Sequence, residues 1–132
     1  MGMSVSCEAV FIRHCRDCGV ALDNKNWYEK YREKRMYVCK ECRKRQHKEY
    51  LKELKYRAYM KLGGKCVYCG ENDMDCLQID HILNDGNRWR QRNIHNSKKI
   101  YLHILNNDVS GELQILCANH NQKKKLNGGI LP

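Results

Sequence analysis

The chain has 132 residues, with 25 Lys or Arg against 15 Asp or Glu, a formal charge of +10 and a pI near 9.2. With a mean hydropathy of −0.81, no run near the ~18 apolar residues of a membrane span and no apolar stretch after Met1, membrane-spanning and secreted readings fall away and a cytoplasmic location is expected. One Phe and two Trp give a thin apolar core for this length, so something besides apolar burial is expected to hold the chain together.

Residues 1–12 carry no structural signal; Met1-Gly2 with Ser6 fits an acylation pattern short enough to arise by chance. Nine cysteines follow at 7, 15, 18, 39, 42, 66, 69, 76 and 117, an odd total that argues against a disulfide framework. Six of them form C-x2-C knuckles: Cys15/Cys18, Cys39/Cys42 and Cys66/Cys69. A two-residue gap turns two thiolates toward one tetrahedral ion, so zinc is the expected occupant, and the βαβ setting of a redox C-x-x-C is absent. Cys117-Ala118-Asn119-His120 supplies the missing half-site. The count closes as one four-cysteine site (Cys15, Cys18, Cys39, Cys42) and one site of three cysteines and a histidine (Cys66, Cys69, Cys117, His120), hence two structural zinc ions, with Cys7 and Cys76 left over.

Residues 1–42 are therefore read as an N-terminal four-cysteine module. Gly19 follows the first knuckle where a tight turn needs positive φ, and Asn26-Trp27-Tyr28 and Tyr31 give aromatic cover. Residues 43–64 form a connector. From Arg43 to Leu62 good helix formers dominate without Gly or Pro, and Gly63-Gly64 ends the run. Leu51, Leu54, Ala58 and Leu62 make a narrow apolar stripe, so one-sided packing is expected. The ten basic and three acidic residues of 40–65 either track phosphates or form a solvated face with pairs such as Glu53/Arg57.

Residues 65–132 are read as a second module. Leu77-Gln78-Ile79 alternates like a short strand entering Asp80-His81, and Leu113-Gln114-Ile115-Leu116 does the same before Cys117. Helices are expected over Ser97–Asn107 and Asn121–Leu126. Cys76 is expected to be a small buried side chain beside the knuckle. Asp80-His81 pairs a carboxylate able to bind an oxygen-seeking cation with an imidazole able to take a proton near neutrality. On a strand these side chains point to opposite faces, so both reach one site only where the strand bends, and Asn84-Asp85-Gly86-Asn87 provides such a bend. Arg88, Arg90 and Arg92, with Trp89 among them, are expected in a loop that grips phosphates and stacks on a base; Lys123, Lys124 and Lys125 form a similar basic patch. His14, His47, His95 and His103 lack a partner at metal spacing.

Cys66-Val67-Tyr68-Cys69-Gly70, Leu77-Gln78-Ile79-Asp80-His81-Ile82 and Leu113-Gln114-Ile115-Leu116-Cys117-Ala118-Asn119-His120-Asn121-Gln122-Lys123-Lys124 together resemble the HNH (His-Me finger) endonucleases, above all small phage-type members braced by zinc. The resemblance covers about residues 65–129, and the Cys15–Cys42 unit is similar to the zinc ribbon that accompanies such nucleases. It implies a small α+β zinc-stabilised protein: a zinc-ribbon-like module, a connecting helix, and a hairpin-plus-helix His-Me finger module. It further implies a metal-dependent DNA endonuclease that nicks or cuts double-stranded DNA to a 5′ phosphate and a 3′ hydroxyl. His81 would be the general base, and Asp80 and Asn121 would hold a catalytic divalent ion, Mg²⁺ or Mn²⁺. Glu112 stands where the family usually has an Asn that steadies the base, so that support falls to Asn84 or Asn87. His120 stands where the family usually has a fourth Cys, which leaves open whether it joins the zinc or the catalytic metal. The alternative is a non-catalytic, zinc-dependent DNA-binding protein on a degenerate HNH scaffold; a plain interaction module would leave the +10 charge without a purpose.

Overall fold

The computed structural model describes residues 11–132; the Met1-Gly2-Ser6 pattern and Cys7 lie outside the described residues. The protein is α+β, with one two-stranded antiparallel sheet, and the chain divides into two compact units, Met1–Tyr50 and Leu51–Pro132. Among the described residues, no helix is long and apolar enough to cross a membrane.

In the first unit the Cys15 knuckle is closed by backbone hydrogen bonds from Gly19 N to Cys15 O and from Cys15 N to Val20 O, both 2.8 Å. Gly19 takes φ +78°, a conformation in which a Cβ is costly. A short helix α1 (Glu29–Glu33) precedes α2 (Lys40–Lys61), whose first turn carries Cys42. The core is small: Cys15, Leu22, Trp27, Val38, Cys39 and Cys42, with Tyr31 and Tyr37 against it. Trp27 is held by its indole N–H donating to Met36 O at 2.8 Å. So few apolar side chains leave the sulfur cluster at the centre of the unit.

Helix α2 continues into the second unit, where its apolar contribution is Leu54, Ala58 and Tyr59, with Leu62 half-buried. Tyr59 joins the face because it lies beside Ala58, and its hydroxyl donates to Leu77 O at 3.3 Å. Strands β1 (Leu77–His81) and β2 (Leu113–Cys117) pair from Leu77↔Cys117 to His81↔Leu113. They are joined by residues 82–112 and not by the tight turn of a hairpin. That connection carries α3 (Gly86–Gln91) and α4 (Ser97–Asn106), the latter capped by the Asn96 side chain accepting from Lys99 N.

Leu113, Ile115, Leu116 and Cys117 of β2 are all buried, so this strand lacks the alternation of a half-exposed one. Helix α5 (Ala118–Leu126) follows directly; it begins three residues earlier than the sequence suggests, because the Cys117 thiol caps it by accepting from His120 N. Arg88, Trp89 and Arg90 lie on helix α3, with Arg92 at its end, and not in a loop; Trp89 is 1% exposed and cannot stack on a base. Cys76 is exposed, contrary to expectation. Its contribution is through the backbone, its carbonyl accepting from Ala118 N at 2.8 Å.

Candidate metal centres and phosphodiester site

Two side-chain clusters have the make-up of zinc-binding units. Cys15, Cys18, Cys39 and Cys42 bring their sulfurs within 4.8 Å of one another, and Cys66, Cys69, Cys117 and His120 do the same with three sulfurs and an imidazole nitrogen. Sulfur atoms ~2.3 Å from a tetrahedral ion stand about 3.8 Å apart. The Cys18–Cys39 and Cys69–Cys117 sulfur separations are 3.7 and 3.8 Å. His120 Nδ1 lies 3.1 Å from the Cys117 sulfur, which places His120 with the cysteines.

The two clusters share a local design. In the second, Gly70 N donates to Cys66 O and Cys66 N to Glu71 O, as in the first knuckle, and Gly70 repeats the positive φ at +79°. Backbone N–H groups aimed at sulfur favour the thiolate form. Burial pushes the Cys15 thiol up, but N–H groups of Cys39, Cys18 and Asp17 outweigh it and bring the thiol down from 9.0 to about 6. Cys66 is lowered to about 7 by the same opposition of burial and backbone N–H groups. Cys42, by contrast, is pushed up to about 12 by burial and its neighbouring thiols. Four close thiolates repel one another, and a dication is what relieves that repulsion.

Asp80, His81 and Asn121 line a single cavity of about 320 Å³ with Ile79, Asn84, Gly86, Lys124 and Lys125. His81 ends β1; its ring packs edge-on against Trp89 with centroids 5.2 Å apart. Its Nε2 is buried without a hydrogen-bond partner. Gly86 has no side chain to cover the other nitrogen: a Cβ there would stand 3.9 Å from His81 Nδ1. Trp89 packs in turn against His103, whose Nδ1 is 3.2 Å from Asn107 Nδ2. The His81 ring is thus backed by Trp89. Asn84, one of the two supports expected from sequence, turns to Gly129 and donates to its carbonyl at 3.2 Å.

Lys124 is not part of a surface patch. It is 3% exposed, and its Nζ lies 2.5 Å from Asp80 Oδ2 and 2.9 Å from His81 O. On α5, His120, Asn121 and Lys124 fall on one helical face, so the turn that brings His120 to the sulfurs also carries Lys124 inward. Asp80 Oδ2 accepts a second bond from Gln114, its partner across the sheet, at 2.8 Å. Asn121 Nδ2 donates to Gln78 Oε1 at 2.6 Å.

These engagements decide whether Asp80 and Asn121 suit a divalent ion. Among the described residues Asp80 is the only carboxylate lining the cavity, it is already paired with an ammonium, and Lys125 adds a second positive charge. Besides His81, the lining carries one acidic and two basic side chains. A dication site needs an excess of anionic oxygen, so this donor set does not fit Mg²⁺ or Mn²⁺.

Arg88 and Arg92 line a second cavity, about 490 Å³, with Leu83, Asp85, Trp89, Gln91 and Glu112. Arg92 lies over the Trp89 ring at 5.4 Å, and Arg88, Arg90, Arg92 and Lys123 are all exposed. Sequence reasoning placed Lys124 in a surface patch and Trp89 in a base-stacking loop, and missed that both are buried, against Asp80 and His81 respectively; the signal available for Lys124 was its spacing from His120. Compared with known proteins, the chain matches no family, no curated protein and no solved structure.

Proposed function

We propose that residues 65–132 form an HNH-type hydrolase of DNA phosphodiester bonds, with His81 as general base and the two cysteine-rich clusters holding structural zinc. The observation that carries this reading is the cavity itself: an imidazole beside two lysines, with Asp80 as the one carboxylate among the described lining residues. A phosphodiester is the anion such a lining attracts, and an imidazole is a side chain suited to taking a proton from water. His81 Nδ1 would take that proton as the water oxygen attacks phosphorus. Exposed Arg90 and Lys123 are available to flanking phosphates, in keeping with a charge of +10.

The test is conversion of supercoiled plasmid to nicked or linear DNA, run with Mg²⁺ present, for the wild type and His81→Ala. Loss of the base is expected to lower the rate by about 10²–10⁴-fold. Equal conversion by both proteins, or by neither, defeats the catalytic reading. The second reading, a binding-only scaffold, is favoured by one observation, the engagement of Asp80 by Lys124. It predicts DNA affinity undiminished in His81→Ala and no nicking by either protein.

A further inference from the structure

We propose that the cation at this site is the Lys124 ammonium, built into the fold in place of a divalent metal. The proposal rests on the hydrolytic reading above and names the group that would stabilise the transition state. A buried ammonium is placed only where oxygens compensate it. Lys124 Nζ has two close acceptors, Asp80 Oδ2 and His81 O, while its third contact, Ile82 O, is 3.4 Å away, at the limit of a hydrogen bond. The third N–H, held only by this long bond to Ile82 O, is therefore the one that can turn to a phosphate oxygen in the cavity that Lys124 and His81 both line.

Asp80 and Gln114 then acquire a role other than metal binding. Gln114 donates to Asp80 Oδ2, and the same oxygen accepts from Lys124, so the carboxylate is a positioning residue for the ammonium. Asn121 is held by its Nδ2 bond to Gln78. The chemistry balances without a metal. The water oxygen forms the new bond to phosphorus and its proton passes to His81. The bond from phosphorus to the 3′ oxygen breaks with its electron pair, and that oxygen is protonated by solvent. Lys124 keeps its proton throughout and faces the growing charge on the phosphoryl oxygens, a preorganised electrostatic role.

The experiment uses full-length protein with its zinc content measured at two per chain, in buffer freed of Mg²⁺ and Mn²⁺ by chelating resin, with and without added Mg²⁺. The expected result is nicking by the wild type at the same rate in both buffers, and a loss of about 10²–10³-fold in Lys124→Met, as for removal of one oxyanion donor. Lys124→Arg, which keeps the charge, is expected to recover part of that loss. Because Lys124→Met leaves the Asp80 carboxylate buried and unpaired, Asp80→Asn with Lys124→Met serves as the folded control, and it too is expected to be inactive while retaining both zinc ions. A readout independent of activity is Mn²⁺ binding by electron paramagnetic resonance: none to the wild type beyond its zinc sites, and one new ion in Lys124→Met, where Asp80 is released. Nicking that disappears without Mg²⁺ and returns with it overturns the proposal while leaving the hydrolytic reading intact, as does Mn²⁺ binding equally to wild type and Lys124→Met. Absence of nicking in both buffers removes the hydrolytic reading, and this proposal with it.

Discussion

Trp89 joins stability to the site. It is among the largest fully buried side chains, and both His81 and His103 pack against its ring. Trp89→Ala is expected to destabilise the protein by about 3–5 kcal/mol, read as a shift in the denaturation midpoint, because both the transfer energy and the cavity left behind count. Trp89→Phe fills most of that space and should lose much less. Gly129 is a second sensitive position. Its φ is +89°, and a Cβ there would collide with the Asn84 side chain that donates to Gly129 O. Gly129→Ala should therefore lower the thermal midpoint although the residue carries no chemistry, whereas alanine at Gly19 strains only the backbone, since nothing lies within 4 Å of its Cβ position. The buried role of Trp89 was not legible: it stands among arginines, which point to an exposed loop, while helix α3 turns its ring inward.

At the scale of elements, the junction of β2 and α5 concentrates several tasks on one residue. Cys117 closes the strand, caps the helix through its sulfur, and belongs to the second cluster. Cys117→Ser is expected to retain one zinc per chain, and Cys15→Ser the other one, as measured by metal analysis of the purified variants. Circular dichroism should show loss of the β2–α5 structure in the first case, since zinc binding and folding are coupled in such small units. Helix α4 is held differently. Lys61 of α2 donates to Ile104 O and Asn107 O at 2.6 and 2.8 Å, placing a cation where the helix leaves carbonyls unpaired. The helices were legible from composition and stop signals, and their ends were less so, because the caps involve a thiol and an asparagine whose roles depend on the chain around them.

For the molecule as a whole, the thiols set the pH response. The folded-state values of Cys66 and Cys15, about 7 and about 6, lie below the ordinary 9.0, so folding favours their thiolates. That contribution is complete above pH 9.0 and is lost as pH falls, through about 7 for Cys66 and then about 6 for Cys15. Acid titration followed by a zinc-sensitive dye should therefore show zinc released as pH falls and the thiolates are protonated; a zinc content independent of pH would contradict this. The proposed function makes a separate prediction: DNA affinity should fall with salt, with a log–log slope of roughly −0.9 per phosphate neutralised.

The sequence by itself determined the two metal clusters, the two strands and the long helix, because C-x2-C spacing, apolar alternation and helix propensity act over a few residues and need no distant partner. It also placed Asp80, His81 and Asn121 as candidates for one site. What it left undecided was how their charges are balanced. Only the tertiary structure brought Lys124 from the last helix onto Asp80, turned Asn121 toward Gln78 and set Trp89 behind His81. Electrostatic compensation of a buried carboxylate depends on distance in space, and residues 80 and 124 are separated by most of the module along the chain.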